Sequence, residues 1–286
     1  MSELSFDGYT TLSVSIANHI AHVQLTRPEQ LNSMNPAFWH ELPNAVRSID
    51  QHSAARVIVI SSLGKHFSAG MDLSVFTQMG KDFGGEPARR GEKFRRSVLE
   101  LQDSFNALEQ VRMPVLVAIQ GGAIGGAVDM ICACDSRYCT EDAFFTIKET
   151  EIGMTADVGT LQRLPHLIPQ GLVRELAYTG RNWGAQEALA QGFVNQVFAD
   201  QEAMLKAVMK IASKIAMHSP MAVAGCKEMI NYTRDHSVAD SLNYMATWQS
   251  GMFQMPDIQE AMTAQQQKRM PEYEELHDKK SMMNVK

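Results

Sequence analysis

The sequence predicts a layered α/β fold followed by a helical C-terminal region. Three observations lead there: two compact β-branched runs, a glycine-rich turn between strand-like and helix-like sequence, and a carboxyl-terminal part in which strand signals cease. At 286 residues the chain can bury a full hydrophobic core.

The elements follow in order. Leu12, Val14 and Ile16 alternate with polar residues, as do Ala21, Val23 and Leu25. That period predicts an antiparallel hairpin turning around Ala17-Asn18-His19. Asn35-Pro36 marks a helix start, because an Asn side chain caps free amides and proline suits the first turn. The helix is expected to run towards Ile49, with a kink at Pro43. Arg56–Ile60 and Val115–Ile119 are short apolar runs of the kind found in parallel strands covered on both faces. Between them, Lys81–Gly91 is rich in glycine and charge and predicts an exposed, mobile connection at a ligand entrance, before a helix from about Phe94 to Gln110. A third extended run, Ala143–Ile147, leads into Lys148-Glu149. Helices are expected at Val158–Leu164, Leu172–Thr179, Ala185–Gln191, Glu202–Met217, Met221–Thr233, Val238–Ser250 and Ile258–Lys268. Residues 1–200 are therefore expected to form an α/β catalytic core and 201–286 a helical region. Met204, Met209, Met217, Met221 and Met229 fit a helical core or subunit interface better than a ligand channel.

Composition excludes some functions. With 26 Lys plus Arg against 32 Asp plus Glu, the formal charge is −6, which disfavours nucleic acid as a partner. Cys132, Cys134, Cys139 and Cys226 lack the spacing of a disulfide framework or a zinc site, so reduced thiols and no metal are expected. No run approaches the roughly 18 apolar residues of a membrane span. With no targeting signal evident, a cytoplasmic or other reducing soluble compartment is the expectation.

The chemistry centres on two turns and three acids. Gly121-Gly122 and Gly125-Gly126 stand between a strand and a helix, where glycine permits close backbone approach and a helix start leaves N–H groups unpaired. They match neither the dinucleotide fingerprint nor a phosphate loop, and a plain tight crossover would use the same glycines. A second turn, His66–Asp72, follows the first β-branched run. Amides from two separate turns can together hold an oxyanion. Asp129, Glu149 and Asp157 sit in apolar surroundings, where burial and mutual repulsion raise carboxyl pKa values towards neutrality. Singly, each has an ordinary reading: Asp129 at a helix start, Glu149 or its neighbour Glu151 as a surface charge, and Asp157 as the cap of a helix beginning at Val158.

Phe67-Ser68-Ala69-Gly70-Met71-Asp72, the glycine turn ending in Asp129, and Ala133-Cys134-Asp135-Ser136-Arg137-Tyr138 resemble the crotonase, or enoyl-CoA hydratase/isomerase, superfamily. Ala143-Phe144-Phe145, Lys148-Glu149 and the block Ala156-Asp157-Val158-Gly159-Thr160-Leu161-Gln162-Arg163-Leu164-Pro165 resemble its delta(3,5)-delta(2,4)-dienoyl-CoA isomerases in particular. Ile124 and Ala127 depart from the small residues usual in the family turn. The resemblance implies a crotonase-like core of repeated β-β-α units in a spiral, an acyl-CoA thioester as substrate, no redox or metal cofactor, and a homotrimer or homohexamer. The helical region would then contribute to oligomerisation and to covering the active site. Met71 and Gly126 are implied as oxyanion-hole amides, and Asp129, Glu149 and Asp157 as catalytic acids. Asp157 discriminates, since typical hydratases carry glycine there. Moving two double bonds along a thioester needs a proton lost at C2 and another gained at C6, assigned to Glu149 and Asp157 with the reverse order open. Arg27, Ala69, Lys268 and Arg269 are candidates for the coenzyme A end. The rival readings are an enoyl-CoA hydratase and a non-catalytic acyl-CoA-binding or RNA-associated homologue.

Overall fold

The computed structural model describes residues 4–75, 85–253 and 255–279. Its first two strands, β1 (Leu12–Ala17) and β2 (Ile20–Leu25), form the expected antiparallel hairpin. The turn residues Asn18 and His19 both have positive φ, 51° and 61°, the backbone that a two-residue hairpin of native twist requires. The third strand, β3 (Val57–Ser62), pairs parallel to β2. Beyond it β4 (Val115–Ile119), β6 (Ser136–Thr140) and β9 (Gln196–Phe198) continue a six-stranded sheet in the order β1-β2-β3-β4-β6-β9. A smaller sheet contains β5 (Gly122–Ile124), β7 (Phe144–Thr146) and β8 (Trp183–Gly184). After β4 the chain crosses at Gly121 into the small sheet, forms a short helix, and returns to the large sheet as β6. This is the β-β-α repeat of the crotonase-like spiral.

The β-branched runs are buried on both sides, as their composition predicts. On β3, Ile58 and Ile60 face the main core, while Val57 and Val59 face a second cluster with Met204, Val208 and Ala212. Those three residues lie on the long helix Gln201–Ala216, which covers the outer face of the sheet.

Ten α-helices are used below: α1 (Phe38–Gln51), α2 (Pro87–Gln110), α3 (Gly126–Cys132), α4 (Thr160–Arg163), α5 (Gln170–Thr179), α6 (Ala185–Ala190), α7 (Gln201–Ala216), α8 (Pro220–Thr233), α9 (Val238–Met252) and α10 (Met255–Gln267). Asn35 accepts the Phe38 amide at 3.1 Å, the capping role expected of it. Pro43 lies inside α1 without ending it. Proline removes the donor that would bind the Trp39 carbonyl four residues back, and the Ser104 hydroxyl of α2 donates to that carbonyl at 3.0 Å instead.

The connection expected at Lys81–Gly91 is corrected in part. Helix α2 already begins at Pro87, seven residues before the anticipated Phe94, because Glu86 caps it by accepting the amides of Ala88 and Arg89 and Pro87 occupies the first turn. Residues 81–84 lie outside the described residues.

The helical region docks through buried ions. Lys227 of α8 donates to the carbonyls of Leu108 and Met113 at 2.8 and 3.1 Å and to Asp135 at 2.9 Å, with its side chain 5% exposed. Arg56 binds Glu275 and the carbonyls of Ala216 and Tyr273, tying the C-terminal strap to the sheet. Met204 and Met229 are core residues, Met209 packs against the second cluster, and Met217 is exposed. Met221 lines a cavity of about 660 Å³ with Cys226, Met245, Trp248 and Phe253. All four cysteines are free. No helix among the described residues is long and apolar enough to cross a membrane.

Lys227→Met is expected to lower the unfolding free energy by about 2–4 kcal/mol, because it strands two carbonyls and a carboxylate. Denaturant titration measures it, and an unchanged midpoint would show that the buried ammonium contributes nothing to docking.

Candidate active site

The first of the two turns is assembled by backbone bridges. Met34 donates to the Gly70 carbonyl at 2.8 Å and accepts the Asp72 amide at 3.1 Å. In this parallel bridge the amide of Met71, between those partners, points away from Met34. Ser68 makes the next link. Its amide donates to Gly122, its carbonyl accepts Ile124, and its hydroxyl donates to the Asn32 carbonyl while accepting the Gly70 amide. Ala69 donates to the Leu31 carbonyl.

The second turn lies against the first with no space for a side chain. Gly70 has φ +80°, and a Cβ there would fall 2.4 Å from the Ile124 carbonyl oxygen and 3.2 Å from the Gly126 nitrogen. Gly126 is the first residue of α3, so its amide has no acceptor within the helix. A Cβ on Gly126 would in turn lie 3.8 Å from the Met71 nitrogen. The structure thus brings Met71 and Gly126 together, two amides from different elements bordering one small space.

The acids approach the same turn. Glu149 follows β7 and opens a 3-10 turn that ends at Gly153. A Cβ on Gly125 would lie 3.0 Å from its Oε1, which places the carboxyl beside the second turn. Its Oε2 is buried without a hydrogen-bond partner among the described residues. Burial, reinforced by the charges of Asp129 and Asp157, pushes Glu149 up to about 7. Glu151, the alternative, is exposed and paired with Lys148, so it is the surface charge of the two.

Asp129, in the first turn of α3, is 1% exposed. Burial raises it to about 6 despite the Thr160 amide donating to its Oδ1 at 2.6 Å and the nearby Arg163 cation. Asp157 is half-buried, and burial raises it too. The capping reading of Asp157 is corrected: α4 starts at Thr160, Gly159 holds the cap position, and no side chain caps it locally. Asp129, from another helix, takes the free Thr160 amide instead. Three carboxyls with elevated proton affinity beside the Met71 and Gly126 amides could remove a proton, hold the resulting oxyanion and return a proton elsewhere.

The remaining candidates are placed more loosely. Arg27 donates to the Ser33 carbonyl at 2.7 Å and stands 3.8 Å from Asp72, bracing the Met71 turn. Arg269 is bound to Glu260 on α10, and the Lys268 amide donates to Gln265. These contacts of Arg269 and Lys268 stay within the helical tail, apart from the acids. Burial pushes the thiols of Cys132 and Cys139 up to about 12, which keeps them neutral and poor nucleophiles. Among the described residues no group of three His, Cys, Asp or Glu side chains could hold a metal ion. Arg163 was not foreseen. Its signal was a cation two residues after Leu161 and directly before Leu164-Pro165, where an unpaired buried charge is costly.

Two backbone amides from glycine-containing turns, bordered by carboxyls of raised proton affinity, are the kind of arrangement an acid–base enzyme acting on a carbonyl compound would need. The chain matches the model of the enoyl-CoA hydratase/isomerase family over residues 15–277, and it belongs to that family. It is 46% identical over 270 residues to the mitochondrial delta(3,5)-delta(2,4)-dienoyl-CoA isomerase of Mus musculus, covering 93% of this chain and 83% of that one. It is 40% identical to the peroxisomal delta(3,5)-delta(2,4)-dienoyl-CoA isomerase of Arabidopsis thaliana, covering 96% of this chain and all of that protein. Among solved structures, the enoyl-CoA hydratase from Bacillus anthracis superimposes with a TM-score of 0.82 at 31% identity, over 95% of this chain and 100% of that one.

The expectation of a cytoplasmic compartment is corrected by these relatives, which are mitochondrial and peroxisomal proteins. That expectation rested on reduced thiols and on no targeting signal being evident in the sequence, and neither carries an address.

Glu149 titrates at about 7 in the folded chain, against an ordinary value of 4.5. Between those values the folded state holds the extra proton, so stability is fully present below 4.5 and is lost as pH rises through about 7. Glu149→Gln removes that loss. The variant is expected to be more stable than wild type near pH 8, with the gap narrowing as the pH falls towards 4.5. Urea unfolding at both ends checks it, and a gap independent of pH would show that Glu149 is not the group that titrates.

Proposed function

We infer that this chain converts 3,5-dienoyl-CoA to 2,4-dienoyl-CoA. The observation that carries the reading is the third acid. Asp129 and Glu149 alone would suffice for chemistry at one end of an enoyl group, whereas Asp157 adds a third carboxyl whose proton affinity burial raises, on a separate turn beside the site. The two dienoyl-CoA isomerase relatives, at 46% and 40% identity, support the same substrate.

In the proposed mechanism, Glu149 in its ionised form removes a proton from C2. Its unpartnered Oε2 and its affinity near 7 suit a base that must both take and hold a proton at neutral pH. The electron pair spreads over a dienolate from the thioester oxygen to C6, and the amides of Met71 and Gly126 bind the oxygen as its charge develops. Asp157, protonated at the start, delivers its proton to C6. The double bonds move from C3 and C5 to C2 and C4 with no net gain or loss of protons. Asp129, held by Thr160, orients the Asp157 turn, and its charge raises the proton affinity of Glu149. The proton on Glu149 and the vacancy on Asp157 then re-equilibrate with solvent or with each other.

Arg27 and Ala69, beside the Met71 turn, and Lys268 and Arg269 in the tail are proposed for the coenzyme A end of the substrate. A homotrimer or homohexamer is proposed as well. The side chains of Ile230, Val238 and Leu242 are 71%, 71% and 65% exposed on α8 and α9, an apolar surface suited to contact between copies. The helical region from residue 201 on would then join subunits and help to cover the site.

An absorbance assay on a 3,5-dienoyl-CoA, beside hydration of a 2-enoyl-CoA, tests the function. Wild type is expected to form the conjugated product. Asp157→Asn is expected to lose roughly a hundredfold or more in turnover while remaining folded. Unchanged turnover would remove Asp157 from the mechanism, and hydration without isomerisation in wild type would replace the reading with a hydratase.

Gly70→Ala tests the amide pair. The added methyl meets the Ile124 carbonyl in a left-handed backbone, so the turns must separate. A fall in kcat of about 100-fold is expected, as for loss of one oxyanion donor. Full activity in this variant would show that the two amides do not act together.

A further inference from the structure

Helix α2 passes behind the Asp157 turn, and the face it presents there is polar. Gln102, Asn106 and Glu109 are spaced four and three residues apart, so they form one stripe along the helix. All three are half-buried, while Phe105, Ala107 and Leu108 beside them belong to the core. Burying such a stripe is costly unless every group finds a partner.

Each of the three has a partner in one short segment, residues 157–163. Gln102 donates from Nε2 to the Asp157 carbonyl at 2.7 Å. Arg163 donates from Nη2 to Asn106 Oδ1 at 2.6 Å and to Glu109 Oε2 at 2.8 Å, and its Nη1 reaches the Val158 carbonyl at 3.5 Å. Arg234, which follows α8, fixes the other oxygen of Glu109 at 2.5 Å. Gly159, at φ +135°, makes room for the guanidinium, since a Cβ would lie 1.9 Å from Nη1. With Asp129 holding the Thr160 amide, the segment is gripped at the carbonyls of 157 and 158 and at the amide of 160. Glu149 stands outside this grip. It is carried by the turn after β7 and lies against Gly125.

We propose that Gln102, Asn106, Glu109 and Arg163 are positioning residues for Asp157, holding its turn so that proton delivery at C6, and not proton removal at C2, depends on them. The proposal rests on the dienoyl-CoA isomerase reading and assigns its second proton transfer a separate scaffold. A misplaced Asp157 leaves the dienolate to form at Glu149 and return to substrate by reprotonation at C2. In heavy water each return can leave deuterium at C2.

The experiment incubates 3,5-dienoyl-CoA with enzyme in heavy water and measures C2 deuteration of the remaining substrate and product formation together. Gln102→Met keeps length and helix propensity but removes the donor. It is expected to slow isomerisation about tenfold while C2 exchange persists, so the ratio of exchange to product rises by about the same factor. Asn106→Leu, one step further from Asp157, is expected to raise the ratio by less. A merely structural role would slow both processes alike, so a ratio unchanged in both variants overturns the proposal. Wild type that forms no 2,4-dienoyl product would instead overturn the functional reading, before any variant is compared.

Discussion

The hydrogen bond from the Thr160 amide to Asp129 is the contact on which the site depends. It is 2.6 Å long and fully buried, and it joins the helix that begins at Gly126 to the helix that follows Asp157. An unpaired helix-start amide and an unpaired buried carboxyl are each unfavourable, and together they satisfy one another. The same bond draws the Asp157 turn towards the glycine turn, so a requirement of folding becomes an arrangement of acids.

The cost of that arrangement appears in proton affinity. Asp129 and Glu149 are raised to about 6 and about 7, each chiefly by burial, and the carboxyls add to one another's burden. Arg163 limits the effect on Asp129 without pairing directly with it, because its guanidinium is committed to Asn106 and Glu109. The result is a site whose acids can exchange protons near neutrality, next to amides that favour negative charge on a carbonyl oxygen. The close approach of Gly70 to Ile124 supplies those amides and excludes side chains from the gap.

Much of this was legible in the sequence where local pattern and tertiary environment agree. The hairpin, β3 and β4 follow from alternation and β-branched runs, and the acids from carboxyls in apolar context together with family motifs. Strand β6 was not anticipated, because Ser136 and Arg137 interrupt its apolar pattern. Arg137 is buried, with its guanidinium donating to the carbonyls of Phe193 and Cys134. Strands β5, β8 and β9, of two or three residues, exist through pairing that no local window contains. The polar stripe of α2 reads in isolation as a solvated face, and only the packing of α2 behind residues 157–160 gives it partners. Asp157 reads as a helix cap for a related reason: the cap it would supply comes from Asp129, 31 residues before Thr160 along the chain.

In the proposed mechanism two carboxyls at separate places serve the two ends of one dienolate. A single-turnover reaction with substrate deuterated at C2, run in ordinary water, tests it most directly. The hydrogen added at C6 is expected to come from Asp157, so the product carries no C2-derived label there. Recovery of that deuterium at C6 would contradict it, because one group would then have carried the proton from end to end.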